Sequence, residues 1–450
     1  MRTGARRRTA ALLLFSLSTA AFSAELNLED IRRAAAAASP VLKKLEQSRK
    51  NLALAKAAAF FTYLPSPRAG LSAGYPLLDS SSPGLRAADA LSAGARLSLS
   101  ENLNIYDGGA SRIRRSNRAL DESSLDAEAQ AKLFALIEEA DNRYFACLEA
   151  EAAVESAELN AAISSLALEI AEIRRAGELL SPGDYYLALA NKSAAEGSHA
   201  AALTGLALAR KRLEQFTGLA DVSALAPVNV EDYEDLLGGI SRWTMEDIAL
   251  RGGEIGARAA ARSPALRSAA ISLRRAENEY ALSRSAFLPS LDLSLSFDLG
   301  YSFTARSPAD PLSYGAALSL GGTIPLDYWV LFNNERRQKN SLENSRIDYE
   351  ESLAAFDIEL QSLLFNLAGN SRTLIASRRQ AEYSALLLEQ QRELFQLSGV
   401  SMASFLDASS RSLSSETARI RAEFAFLRSL SALKSLGAFE ESELLELLGG

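Results

Sequence analysis

Leu288-Pro289-Ser290-Leu291-Asp292-Leu293-Ser294-Leu295-Ser296-Phe297-Asp298-Leu299-Gly300-Tyr301-Ser302-Phe303 sets an apolar residue at every second position from Leu291 onward. Period-two alternation is the mark of a β-strand with one apolar and one polar face. The polar stretch Thr304 to Ser313, with Pro308 and Pro311, reads as a loop. Tyr314, Ala316, Leu318 and Leu320 then alternate with Gly315, Ala317, Ser319 and Gly321 on the way back. A β-hairpin over 290–326 is the simplest reading.

The same plan occurs earlier in the chain. Glu29-Asp30-Ile31, an alanine-rich stretch, Ser39-Pro40, Leu42 and Leu64-Pro65-Ser66 are matched in order by Glu246-Asp247-Ile248, Ser263-Pro264, Leu266 and Leu288-Pro289-Ser290. Ser39 to Ser263 and Leu64 to Leu288 have the same spacing of 224 residues. A constant offset over several markers indicates tandem duplication. In the first copy Leu71, Ala73, Tyr75 and Leu77 precede a Ser/Pro/Gly loop at Asp79 to Gly84. Leu91, Ala93, Ala95, Leu97 and Leu99 follow, which predicts a second hairpin over 66–103.

After each hairpin the period becomes helical. Leu159, Ile163, Leu166, Ile170 and Ile173 form a stripe of 4 and 3 residue steps, and Leu353, Phe356, Leu360, Leu363 and Leu367 form another. Both have the spacing of a coiled-coil seam. No proline occurs from Gly109 to Gly177 or from Glu335 to Ser398. A helix over the first of these runs roughly 100 Å at 1.5 Å per residue. Turns at Gly177 to Gly183 and Ser398 to Ser401 return the chain into a second helix, giving two long helical hairpins. Expected boundaries are a first repeat at 25–217, a linker at 218–243 outside both bundles, a second repeat at 244–437 and a tail at 438–450.

Residues 1–24 place Arg2, Arg6, Arg7 and Arg8 before an apolar run from Ala10 to Leu17 and a small-residue stretch ending at Ala24. This is the layout of a cleaved secretory signal. The formal charge is −8, and removal of those four arginines makes it −12, which argues against a nucleic-acid partner. Beyond the signal no run of about 20 apolar residues exists, so entry into a membrane requires strands. Cys147 and His199 are the only cysteine and histidine. They recommend neither a metal site nor a Cys/His nucleophile, and the expectation is no catalytic residue, no metal and no cofactor.

Two hairpins give four strands per chain, fewer than the eight at which transmembrane barrels begin, so a spanning barrel needs several copies. Strand lengths near the roughly 9 to 11 residues of a tilted membrane strand fit this. Aromatic residues near strand ends fit as well, and Tyr75, Tyr301, Phe303 and Tyr314 are candidate girdle residues against outer-membrane lipid. A soluble sheet with one face on a core produces the same alternation. The rival reading is a soluble periplasmic coiled-coil scaffold or pump adaptor.

Helix, Leu-Pro-Ser, hairpin, long helix, turn and returning helix, twice over, resembles the TolC-like outer-membrane efflux channels. Asn104-Ile105-Tyr106-Asp107-Gly108-Gly109, followed by Arg112, Arg114 and Arg115, looks like the family's passage from strand into long helix. Val330-Leu331-Phe332-Asn333-Asn334, with Arg336 and Arg337, stands for it in the second half, both glycines replaced. The resemblance implies a mainly α chain with a small β part. It further implies a homotrimer whose 12-stranded transmembrane β-barrel continues as a periplasmic α-helical barrel.

It also implies an inner-membrane pump and a periplasmic adaptor (membrane fusion) protein docked at the inner end. Transport is passive, in a tripartite efflux or type I secretion system. Asp407 in Ser404-Phe405-Leu406-Asp407-Ala408 matches the second of the family's two ring aspartates at the tunnel constriction, and Ser404 replaces the first. Asp184 aligns with an aspartate of the closed-state latch, whose basic partner after the second turn is absent from Val400-Ser401-Met402. Three copies of a carboxylate around a narrow pore favour cations. Both aspartates also lie near helix starts, where a carboxylate caps free N–H groups.

Overall fold

The computed structural model describes residues 25–61, 66–74, 92–178, 180–228, 230–304, 312–397 and 399–449. The signal-like segment, Tyr75, the loop expected at 79–84 and residues 305–311 of the loop expected at 304–313 lie outside them, whereas Thr304, Leu312 and Ser313 belong to strands. The described chain is helical apart from four strands. Its first half runs α1 (Leu28–Ala38), α2 (Pro40–Phe61), β1 (Ser66–Gly74), β2 (Ser92–Tyr106), α3 (Ala110–Ala176) and α4 (Pro182–Thr217). A linking segment with α5 (Glu234–Ser241) leads to α6 (Met245–Arg262), α7 (Pro264–Ser285), β3 (Ser290–Thr304), β4 (Leu312–Thr323), α8 (Tyr328–Gln396), α9 (Met402–Gly437) and α10 (Glu441–Gly449).

The repeated sequence markers are structural corners. Asn27 accepts from the Asp30 N–H at the start of α1. Thr244 and Asp247 form a reciprocal capping box at the start of α6. One turn into each helix, Ile31 and Ile248 are buried. Ser39 and Ser263 hold nearly the same backbone, φ −57°, ψ 118° and φ −54°, ψ 120°. The prolines after them open α2 and α7, where the missing N–H costs nothing and the fixed φ suits a helix. Each pair α2 and α7 has 22 residues, and α4 and α9 have 36.

The strands form one antiparallel sheet in the order β1-β2-β3-β4, so the two hairpins join through β2 and β3. The alternation read from Leu291 to Phe297 survives as register. Leu97 faces Leu299, Leu99 faces Phe297, and Leu295 faces Leu318, all on one face. On the other face Arg96 pairs with Asp298 at 3.1 Å and Asn104 donates to Asp292 at 2.9 Å.

α3 spans 67 residues and α8 spans 69, each about 100 Å long. The seam within α3 differs from the expected stripe. Ser164, Ala167, Leu168 and Ala171 are buried, while Leu159 and Ile173 are 65% and 67% exposed. Small residues let α4 and α9 approach α3 closely, and the larger apolar side chains turn outward. The α8 stripe holds better, with Phe356, Leu360 and Leu367 buried.

The linker does not stay outside the bundles. Val222, Val230, Leu237, Ile240 and Trp243 join α1, α3, α6, α8 and α9 in one hydrophobic core near mid-height, because these apolar residues outweigh the acidic run between them. The tail folds back as α10, burying Phe439, Leu444 and Leu448 in the same core. At this level Asp141, fully buried, receives two bonds from Arg32 at 2.6 and 2.7 Å and one from Ser431 at 2.6 Å, which ties α1 and α9 to α3.

Candidate functional site: an uncovered sheet face and a helical tip

At one end of the rods the apolar face of the sheet has no cover among the described residues. Leu295, Phe297, Leu318 and Leu320 are 53%, 45%, 69% and 67% exposed, and every residue of β4 is exposed. A soluble sheet of this composition buries such a face, since each fully exposed leucine forgoes about 2 kcal/mol. Tyr301 and Tyr314 lie on that face toward the loop end and are exposed. Phe303 pairs with Ala93 in the backbone register. β1 and β4 are free edges within the chain.

A second aromatic group, not singled out from the sequence, marks the opposite border of the sheet. Tyr106, Tyr328, Trp329 and Phe332 are exposed, with Ile324 and Leu326 beside them. Its signal was present in Leu326-Asp327-Tyr328-Trp329-Val330-Leu331-Phe332. Val330-Leu331-Phe332-Asn333-Asn334, the expected counterpart of the Asn104 to Gly109 passage, is not a strand-to-helix junction. Val330 to Asn334 lie inside α8, which starts directly after Asp327. In the first half the junction turns sharply at Gly108 and Gly109, both at positive φ. A Cβ on Gly108 would come within 2.7 Å of the Ser285 carbonyl oxygen.

The other end of the rods is a compact tip. Phe395 and Phe405 stack with centroids 4.7 Å apart and planes within 3°. Around them pack Ala167, Leu168, Ala171, Ala188 and Met402, which joins the α3/α4 hairpin to the α8/α9 hairpin. Arg174 lies over the Phe395 ring at 4.4 Å and donates to the Phe395 carbonyl. Arg175 lies over Tyr185 at 4.2 Å.

The structure brings Asp407, Ser404 and Asp184 to this tip in different settings. Ser181 caps α4, and its hydroxyl donates to Asp184 at 2.8 Å while accepting the Asp184 N–H. Asp184 is thus part of a helix start. Asp407 is not, because Ser401 caps α9 and Asp407 stands more than a turn inside the helix. Its carboxylate is paired with Arg411 at 2.9 Å, both side chains being exposed. Ser404 donates to Gln391 at 3.1 Å.

Among the described residues no helix is long and apolar enough to cross a membrane, and no group of His, Cys, Asp or Glu could hold a metal ion. Cys147 is buried in the core, and burial pushes its thiol up to about 11. His199 lies half-buried along α4.

The family model described as outer membrane efflux protein matches residues 256–437. Among solved structures, the Campylobacter jejuni outer membrane channel CmeC is similar at 16% identity, over 92% of this chain and 86% of that one, with a TM-score of 0.74. VceC, an outer membrane protein of Vibrio cholerae, is similar at 15% identity over 91% and 96%, with a TM-score of 0.71. The open state of the Neisseria gonorrhoeae MtrE outer membrane channel is similar at 19% identity over 91% and 88%, with a TM-score of 0.69. No curated protein sequence matches the chain. The outer membrane efflux protein model thus matches the second repeat from 256 to 437, and the fold along most of the chain is similar to that of these channels.

Proposed function

We propose that the chain is a subunit of an outer-membrane channel through which substrates leave passively across periplasm and outer membrane. The observation that carries this reading is the uncovered apolar sheet face, with free edges on both sides, continuous with helical rods about 100 Å long. Lipid is the solvent that face suits, and other copies supply strands for the edges. Three copies close a 12-stranded barrel with no remaining edge. Exposed Leu159, Ile173, Tyr383 and Leu386 along the rods are contact surface for neighbouring helices in such a trimer.

The rods form the walls of a tunnel, and the tips form its inner mouth. A periplasmic adaptor and an inner-membrane pump supply docking and energy there, in a tripartite efflux or a type I secretion system. The channel subunit holds and releases no cofactor in this scheme. Asp407, with Ser404 and Asp184, lines the constriction. The scaffold or adaptor alternative leaves the sheet face unexplained, since among the described residues no helix covers it.

The test is single-channel conductance of detergent-purified protein in planar bilayers. Discrete openings support the channel. A change in reversal potential under a salt gradient on Asp407→Ala places that residue at the constriction, and an unchanged potential removes it from the pore. Folded protein that stays soluble without detergent and never inserts would overturn the reading.

A further inference from the structure

Directly beneath the sheet, two elements carry an unpaired positive charge. From Ala110 to Leu120 α3 has four arginines and no acid, and from Tyr328 to Leu342 α8 has three cations and one acid. Arg112, Arg115, Arg118, Arg336, Arg337 and Lys339 are all exposed, and among the described residues none of them has an ion-pair or hydrogen-bond partner. Nearby arginines are paired: Arg275 of α7 with Asp121 at 2.7 Å and Arg49 of α2 with Asp126 at 2.9 Å. The single acid, Glu335, is engaged by the Tyr280 hydroxyl at 3.2 Å.

The two basic segments stand at one height, because α7 packs between them. Asn117 of α3 donates to Glu279, and Tyr280, the next residue of α7, donates to Glu335 of α8. Arg118 and Arg336 therefore flank the same turn of α7. Arg336 follows the exposed Trp329 by seven residues, and Arg337 follows the exposed Val330 by seven. Seven residues are nearly two helical turns, so each arginine lies on the same helix face as its apolar neighbour, about 10 Å nearer the tip. The cations form a collar one headgroup-depth below the aromatic border.

A bilayer presents that sequence of environments: hydrocarbon, an interface where Trp and Tyr settle, then headgroup phosphates. Long basic side chains reach back toward the phosphates from below. Cations in the first turn of a helix are opposed by its dipole, so Arg112, in the first turn of α3, gains most from an external anion. We propose that this collar binds anionic phospholipid headgroups in the leaflet facing the helical rods. The inference rests on the channel reading and adds a lipid class to it.

Trp329 provides the probe. The chain has two tryptophans, and Trp243 is buried in the mid-height core. The full chain is reconstituted into phosphatidylcholine vesicles, and quenching of tryptophan fluorescence by brominated phosphatidylglycerol is compared with quenching by brominated phosphatidylcholine. The expected result is a threefold to tenfold preference for the anionic lipid, on the scale of about one cation–headgroup attraction per basic residue, weakening with salt. Changing Arg112, Arg115, Arg336 and Arg337 together to Gln brings the preference to unity, and changing them to Lys retains it. Equal quenching by the two lipids in the unmodified protein, or a preference that survives the Gln changes, overturns the collar while leaving the channel intact. No quenching by either lipid means that Trp329 does not meet the bilayer, and then the membrane placement itself fails.

Discussion

Arg174, in the last turn of α3, lies 4.4 Å from the centroid of the Phe395 ring and donates to the Phe395 carbonyl at the end of α8. The two residues are 221 positions apart in sequence, and their contact is a polar link between the tips of the two helical hairpins. In the proposed channel, opening the inner mouth moves these tips apart. A cation–π contact and one hydrogen bond to a charged donor together contribute about 2 kcal/mol. Arg174→Ala is therefore expected to shift the closed-to-open equilibrium in planar bilayers by about thirtyfold toward open, with single-channel conductance unchanged. An open probability equal to that of the unmodified protein shows that the tip does not gate through this contact.

Asp407 and Arg411 stand one helical turn apart and form an ion pair at 2.9 Å. The pair is exposed, so it contributes little to stability, about 0.3 to 0.5 kcal/mol. In the proposed constriction, the pair would matter more through potential, since each carboxylate is accompanied by a cation and Ser404 adds no charge. Arg411→Ala is expected to strengthen cation preference, and Asp407→Ala to weaken or reverse it. Reversal potentials measured across a salt gradient read both. Unchanged reversal potentials in both variants would show that neither side chain faces the ion path.

The fold was legible where local pattern and global structure agree. Leu291 to Phe297 could form only a two-faced strand, and the proline-free run to Gly177 only a rod. Ser39-Pro40 and Ser263-Pro264 marked real corners, because a proline at the first helical position constrains the backbone wherever it occurs. What escaped was set by packing between distant segments. Leu159 and Ile173 have seam spacing, yet Ala167 and Ala171 occupy the seam, because small residues allow the rods to come together. The linker was hidden by its acidic run, and its core role appears only once Trp243 and Ile240 are seen beside α8. At the tip, Asp407 and Ser404 could be named from a short motif. Arg174 could not, since nothing local connects it to Phe395.

Asp141 is fully buried with three charge-assisted hydrogen bonds, two from Arg32 and one from Ser431. Removing one partner of a buried ion pair leaves the other charge desolvated, at a cost of about 3 to 5 kcal/mol. Asp141→Ala should lower stability by that amount, measured by denaturant unfolding in detergent. Joint replacement by Arg32→Met and Asp141→Leu should recover most of it, because an apolar pair of similar volume carries no desolvation penalty. A loss under 1 kcal/mol for the single variant would mean that water reaches the site.

Cys147 gives the pH dependence of the same core. Burial pushes its thiol from an ordinary value near 9 up to about 11, with the nearby Glu151 charge adding and Arg210 opposing. A raised folded-state value means that the neutral thiol is favoured in the native protein. The stabilisation is therefore fully present below about pH 9, and it is lost as pH rises through 11. At pH 8 the native protein should not react with a thiol-specific disulfide reagent, since the sulfur is both protonated and inaccessible. Unfolding in denaturant should release one reactive thiol per chain. Stoichiometric reaction of the folded protein within minutes at pH 8 would show that the mid-height core around Tyr144 and Leu148 opens on that timescale, and it would remove Cys147 from the rigid part of the rod.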